Sequence, residues 1–116
     1  MVKKEDMPPC PVATTVALIG SKWKLLILRN LLVRTWRFNE LMRDLAGISQ
    51  KTLTGCLKSM EADRIVVRRV VSLKPLHVEY SLAPLGQSMK PLIGAMEAWG
   101  EGYIKATQSP APVSST

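Results

Sequence analysis

Apolar and polar positions along the chain change from helical to strand spacing and back, and each change marks an element. Pro11, behind Cys10, suits the first turn of a helix running from about Val12 to Ile19 and stopping at Gly20. Ser21 is placed to cap a second helix, Lys22 to about Val33. There Trp23, Leu26, Ile27 and Leu31 share one face, Leu25, Leu28 and Leu32 widen it, and only Asn30 interrupts it. A helix that is apolar on most sides is buried, so this one is expected to be the spine of the core.

The stretch Arg34–Phe38 is short and β-prone, enough for one edge strand. Phe38, Leu41, Met42 and Leu45 then follow at helical spacing, with Asn39, Glu40, Arg43 and Asp44 on the other side. Gly47 can take the left-handed conformation that ends such a helix. Ser49 caps the next one, whose apolar positions are Leu53, Leu57 and Met60. Two short helices joined by a tight turn at Gly47-Ile48 form a helix-turn-helix.

Ile65–Val71 and Val78–Leu82 are β-branched or alternating, and the loop Ser72–His77 between them carries the turn-forming Pro75. The three segments predict a hairpin, or wing. Pro84 opens a last helix, Leu85 to about Ile104, on which Leu85, Met89, Leu92, Met96 and Trp99 recur in steps of four and three as a single apolar stripe. Pro91 is expected to kink that helix near its middle. The fold class is therefore mainly α with a small β-hairpin (α+β), a winged helix-turn-helix. Residues 1–9 are expected to form a flexible arm, 10–105 a single DNA-binding and dimerisation domain, and 106–116 a disordered tail.

Composition narrows the partners. With 116 residues, 47% hydrophobic and 22% charged, the chain suits one small globular domain, and a partner subunit would add to its modest core. No apolar run is long enough to cross a bilayer, and Met1–Asp6 lacks the apolar core of a signal peptide, so no membrane partner and a cytoplasmic location are expected. The net charge is +7 and unevenly placed. Twelve of the sixteen basic residues lie between Lys22 and Lys74, against four acids, while the segments on either side are close to neutral. A basic middle is the electrostatic footprint of a protein that sits on phosphates, although charge by itself fits a generic solvated surface equally well.

The helix opening at Ser49 has the make-up of a groove reader. Burying Leu53, Leu57 and Met60 leaves Gln50, Lys51, Thr54 and Lys58 facing outward. Gln can pair with adenine, Lys can reach guanine or phosphate, and residues near a reading helix's N-terminus usually meet the bases. The bland alternative is a solvated helix carrying two lysines. The hairpin adds Arg68, Arg69, Lys74 and His77, suited to backbone or minor groove, and Arg37 on the edge strand is a further candidate for a phosphate contact. These residues point to double-stranded DNA as the partner. The apolar stripe, with Val12, points to a second copy of the chain. A different class of reading is a protein-interaction module on the same scaffold that has lost DNA binding. With one histidine and two separated cysteines no metal-ligand spacing exists, no cofactor is implied, and no nucleophile–base constellation or phosphate loop suggests an enzyme.

Several segments together resemble the HxlR-type regulators, a MarR-like group. They are Cys10-Pro11-Val12, Leu18-Ile19-Gly20-Ser21-Lys22-Trp23-Lys24, Arg37-Phe38-Asn39-Glu40-Leu41, Gly47-Ile48-Ser49-Gln50-Lys51-Thr52-Leu53-Thr54 and Val78-Glu79-Tyr80-Ser81-Leu82. The resemblance spans about residues 10–100. It implies a dimeric winged helix-turn-helix transcription regulator, most simply a repressor on a pseudo-palindromic operator, with its recognition helix at Ser49–Asp63 and its wing around Lys74-Pro75. It also implies terminal helices packed across the dimer and, in some members, an electrophile- or oxidant-sensing cysteine placed like Cys10. Two positions depart from the pattern. Gly55 lies inside the reading helix, which costs about 1 kcal/mol relative to Ala. Arg64 stands where a helix-ending glycine is common, a strain of about 1 kcal/mol or more if that position is left-handed.

Cys56, beside Leu57, reads as a small packed residue. Cys10 stands at a helix N-terminus, where a reactive thiolate is favoured; the alternative is a structural thiol at the dimer seam. Trp23, Trp36 and Met96 are either plain core or the lining of a small-molecule pocket between subunits.

Overall fold

The computed structural model describes residues 10–108. The expected arm, 1–9, and residues 109–116 of the expected tail lie outside them. The elements in chain order are α1 (Pro11–Ile19), α2 (Lys22–Val33), β1 (Trp36–Arg37), α3 (Phe38–Asp44), α4 (Gln50–Ala62), β2 (Val66–Leu73), β3 (Leu76–Leu82), α5 (Pro84–Gln87) and α6 (Lys90–Gln108). This is the mainly α, winged helix-turn-helix architecture that the pattern of positions predicts.

The helix starts follow local chemistry. Pro11 occupies the first turn of α1 behind Cys10 in extended conformation. The Ser21 hydroxyl accepts the Lys24 backbone N–H at 3.2 Å and so satisfies one free donor at the start of α2. Helix α2 buries Ile27, Leu28, Asn30 and Leu31 and is the expected spine. Around it collect Leu41 from α3 and Leu45 just beyond its end, Leu53, Leu57 and Met60 from α4, Ile65 and Val66, and Tyr80 and Leu82 from β3.

The sheet is antiparallel with strand order β1-β3-β2. Trp36 pairs with Tyr80 and Arg37 with Glu79, so the edge strand is two residues long and Phe38 already belongs to α3. In the hairpin, Val66 faces Leu82, Arg68 faces Tyr80 and Val70 faces Val78. A register shift between Val70 and Ser72 adds a residue to β2, and pairing then resumes with Ser72 opposite His77 and Leu73 opposite Leu76. The expected loop Ser72–His77 is thereby reduced to the turn Lys74-Pro75, because cross-strand bonds satisfy the backbone almost to the tip.

The C-terminal part departs from expectation in three ways. A single helix kinked at Pro91 is replaced by α5 and α6, broken at Ser88-Met89. Pro91 stands in the first turn of α6, where its missing N–H leaves no bond unmade. The break comes earlier, where Gly86 presses on the preceding layer: a Cβ there would collide with the Ile65 carbonyl and the Leu82 side chain. Second, α6 runs to Gln108, past the expected end at Ile104. Third, the residue of α6 that the core buries is Ile93, off the expected stripe. Of that stripe, Met89 packs partly against the core, while Leu85, Leu92, Met96 and Trp99 remain exposed.

Arg64, between α4 and β2, has φ 64°. The turn is closed by Arg64 N–H to the Glu61 carbonyl at 3.0 Å and Ile65 N–H to the Met60 carbonyl at 2.9 Å, which requires the left-handed residue between them. Its side chain is exposed, so strain dominates the balance. Replacing Arg64 with Gly is expected to stabilise the protein by about 1 kcal/mol, a rise in Tm of about 4–8 °C for a domain of this size. A thermal melt showing an unchanged or lower midpoint would refute the strain.

Candidate nucleic-acid interface

The interface is built from α3, its following turn and α4. Helix α3 is held at its start by Glu40, whose carboxylate accepts the Arg37 backbone N–H at 2.9 Å and the Arg34 guanidinium at 3.2 Å. Those two bonds, the backbone one foremost, hold the Glu40 carboxyl below its ordinary range. Arg34 also lies over the Trp36 ring, 3.6 Å from its centroid. The turn then reverses through Gly47 at φ 95°, with Ile48 buried beneath it. Few residues other than glycine accept that conformation.

At the start of α4 the Ser49 hydroxyl accepts the Thr52 backbone N–H at 3.0 Å and donates to the Thr52 hydroxyl at 2.9 Å. Its part in the site is thus to begin the helix. Leu53, Leu57 and Met60 are almost completely buried, and the opposite side carries Gln50, Lys51 and Lys58 in solvent with Thr54 half-buried. Cys56 lies on the inner flank, where burial pushes its thiol up from the ordinary range despite the nearby Lys24 charge.

Asn30, the one polar residue in the α2 stripe, has a structural use that the periodicity does not reveal. Its Nδ2 donates to the Asp44 carboxylate at 2.7 Å, and its Oδ1 accepts from Arg29 Nε and a terminal guanidinium nitrogen at 3.2 and 3.0 Å. The Trp36 indole N–H donates to its backbone carbonyl at 2.8 Å. One buried side chain and its own carbonyl therefore tie α2 to the end of α3 and to β1. At the other end of α2, Lys24 Nζ donates to the Ser59 hydroxyl at 2.8 Å, fastening α4. A polar residue in the middle of an apolar stripe is the signal for such a latch; its partners cannot be read from spacing.

These ties leave a cleft of about 450 Å³ between α4, the edge strand and the hairpin, lined by Arg37, Gln50, Thr54 and Arg68 together with Phe38, Asn39, Leu76, Val78 and Tyr80. Four side chains expected from sequence to meet DNA therefore converge from three elements that are separate in the chain, β1, α4 and β2. Lys51 and Lys58 sit on the outer face of α4, and Lys74 at the exposed wing tip, away from the cleft lining. Asn39 and Arg43 were not among the expected contacts. With Phe38, Met42 and Gln50 they line a second depression of about 330 Å³ next to the cleft. Their place on the polar side of α3 was legible, but not their closeness to Gln50.

His77 lies on the face of the wing opposite to the cleft. Opposite residues of an antiparallel pair share a face and neighbours alternate, so Leu76, Val78 and Tyr80 turn toward the cleft and His77 turns away with Glu79. Its Nε2 lies 3.1 Å from the Glu79 carboxylate, near enough to pair but out of line for a hydrogen bond. Nor do the three residues considered for an intersubunit pocket meet. Trp23 packs on the core, Trp36 lines a cavity with Lys90 and Glu97, and Met96 lines a separate groove between α1 and α6. Cys10 is a free, exposed thiol at the head of α1.

The statistical model of the HxlR-like helix-turn-helix group matches residues 18–108. The chain belongs to this family. It is 40% identical over 99 residues to the HTH-type transcriptional regulator YdeP of Bacillus subtilis (strain 168), an alignment covering 85% of this chain and 77% of that protein. Among solved structures, the redox regulator HypR in its reduced form superposes with a TM-score of 0.81 at 38% identity, covering 87% of this chain and all of that one. The quinone-bound YodB of B. subtilis superposes with a TM-score of 0.69 at 32% identity, covering 80% of this chain and 99% of that one. As an HxlR-like protein, the chain is a transcriptional regulator of helix-turn-helix type and not an enzyme. DNA binding follows from the family, and no helix among the described residues is long and apolar enough to cross a membrane.

Proposed function

We propose that this HxlR-like protein is a homodimeric, sequence-specific repressor of a pseudo-palindromic operator, with Gln50, Lys51 and Thr54 meeting the bases and Arg37, Lys58, Arg68 and Lys74 the phosphates. The observation that carries the reading is the cleft in which Gln50 and Thr54 stand between two arginines. Polar side chains able to read base edges are flanked by cations able to hold the backbone, so contacts that specify and contacts that position lie side by side. A dimer bound across a promoter represses by occupying it, and such a protein works in the cytoplasm, where the DNA is.

The dimer is supported by apolar surface that nothing among the described residues covers. Val12 and Val16 on α1 are exposed, as are Leu92, Met96, Trp99, Tyr103 and Ile104 on α6. An apolar groove of about 380 Å³ runs between the two helices, lined by Val12, Val16, Leu25, Leu92 and Met96 among others. Exposed apolar surface this continuous marks an interaction site. Leu85 and Met89 continue it toward the core in this reading. A two-fold dimer places its reading helices one DNA turn apart, about 34 Å.

Cys10, next to that seam, is proposed as the signal-receiving thiol. HypR is a redox regulator and YodB has been seen bound to quinone, which suits the same chemistry here. An electrophile forms a C–S bond to the thiolate while solvent takes the thiol proton. The adduct at the head of α1 then alters how the two subunits sit.

Three outcomes are expected. Gln50→Ala and Lys51→Ala should each weaken binding to a selected operator about tenfold or more, with little loss on random duplex; equal losses on both in a gel shift would remove these side chains as base readers. Met96→Asp and Trp99→Asp should produce monomers in analytical ultracentrifugation, and an intact dimer would place the seam elsewhere. Methyl-benzoquinone should shift the operator affinity of the parent but not of Cys10→Ser, and the same response from both would exclude Cys10 as the switch.

A further inference from the structure

The wing ends in two leucines that nothing among the described residues covers. Leu73 is 78% and Leu76 63% exposed, one on each side of the turn Lys74-Pro75. They are direct cross-strand partners and so share a face. That face is the one turned to the reading helix, since Leu76 lines the same cleft as Gln50, Thr54, Arg37 and Arg68. A wing that touched phosphate alone would need only its cations. This one places an apolar pair beyond them, with Lys74 between the two leucines.

We propose that the wing tip is an apolar wedge, in which Leu73 and Leu76 enter the minor groove beside the site read by α4 and open a base step while Lys74 holds the adjacent phosphate. The inference rests on the DNA-binding reading of α4 and deepens it. Three features favour DNA over another protein as the occupant. Leu76 lines the cleft that holds the base-reading side chains, and Leu73 is its cross-strand partner. Their immediate surroundings are cationic, with Lys74 at the turn and Arg68 on the same face, which complements a phosphate polymer. Finally, a minor groove about 6 Å wide admits the side chains of a hairpin tip but not a helix, and leucine is among the residues that unstack a step there and bend the duplex.

The test uses the full chain and 30-base-pair duplexes that it selects from a random library, end-labelled for energy transfer. Against Leu73→Ser/Leu76→Ser, the parent should bind about tenfold more tightly and bend the duplex, while the slope of affinity against salt stays the same. Lys74→Ala should keep the bend but lower that slope by about 0.9. Leu73→Met/Leu76→Met, which keeps an apolar tip, should behave as the parent does, separating loss of the wedge from loss of the fold. Equal affinity and equal bend in the serine variant would overturn the wedge while leaving DNA reading by α4 intact. A parent that selects no duplex even at low salt would overturn both and favour a protein partner.

Discussion

Everything the molecule presents to a groove depends on the burial of one apolar stripe on α4. Leu53, Leu57 and Met60 are almost wholly removed from water within the same core as Ile27, Leu28 and Leu31 of α2. Burial of each such side chain contributes about 1.5–3 kcal/mol. Rolling the helix by a single residue, about 100°, would expose them and turn Thr54, Lys58 and Glu61 toward the core. No arrangement of the surface groups could repay that. The polar side is therefore outward because the other side has nowhere else to go, and the Ser49 cap and the left-handed Gly47 decide where along the chain that helix begins.

Hydrophobic burial fixes the face of α4 but not its setting against its neighbours. That comes from directional bonds. Asn30 joins α2 to Asp44 at the end of α3, its carbonyl receives the Trp36 indole, and Lys24 reaches Ser59. Pairing of Trp36 with Tyr80 then carries the hairpin into place. Arg37 and Arg68 thus reach the same cleft as Gln50 through a chain of contacts, some between consecutive elements and others, such as Lys24 to Ser59 and Trp36 to Tyr80, between elements far apart in the sequence. A buried amide with both ends engaged has one good geometry, whereas apolar contacts alone would tolerate sliding.

The unsatisfied surfaces are as informative as the satisfied ones. The apolar sides of α1 and α6 and the wing's leucine pair face water at opposite ends of the functional design, one suited to a second subunit and the other to a groove. Cys10 lies at the head of α1, next to the first of these surfaces.

Much of this was legible in the sequence because it is local. Helical period, serine caps and Gly47 at the turn each act within one or two turns of chain, while Arg64 stood out only against the family's usual glycine and its left-handed backbone came from the structure. What lay beyond spacing was set by residues distant along the chain. The close approach of Gly86 to the Ile65 carbonyl, the meeting of Arg37, Gln50 and Arg68 at one cleft, and the burial of Ile93 in place of the stripe each join residues far apart in the chain. Periodicity states that a side chain has an inside and an outside; only the packed fold decides which neighbour stands there, because that neighbour is chosen by three-dimensional closeness rather than by order in the chain.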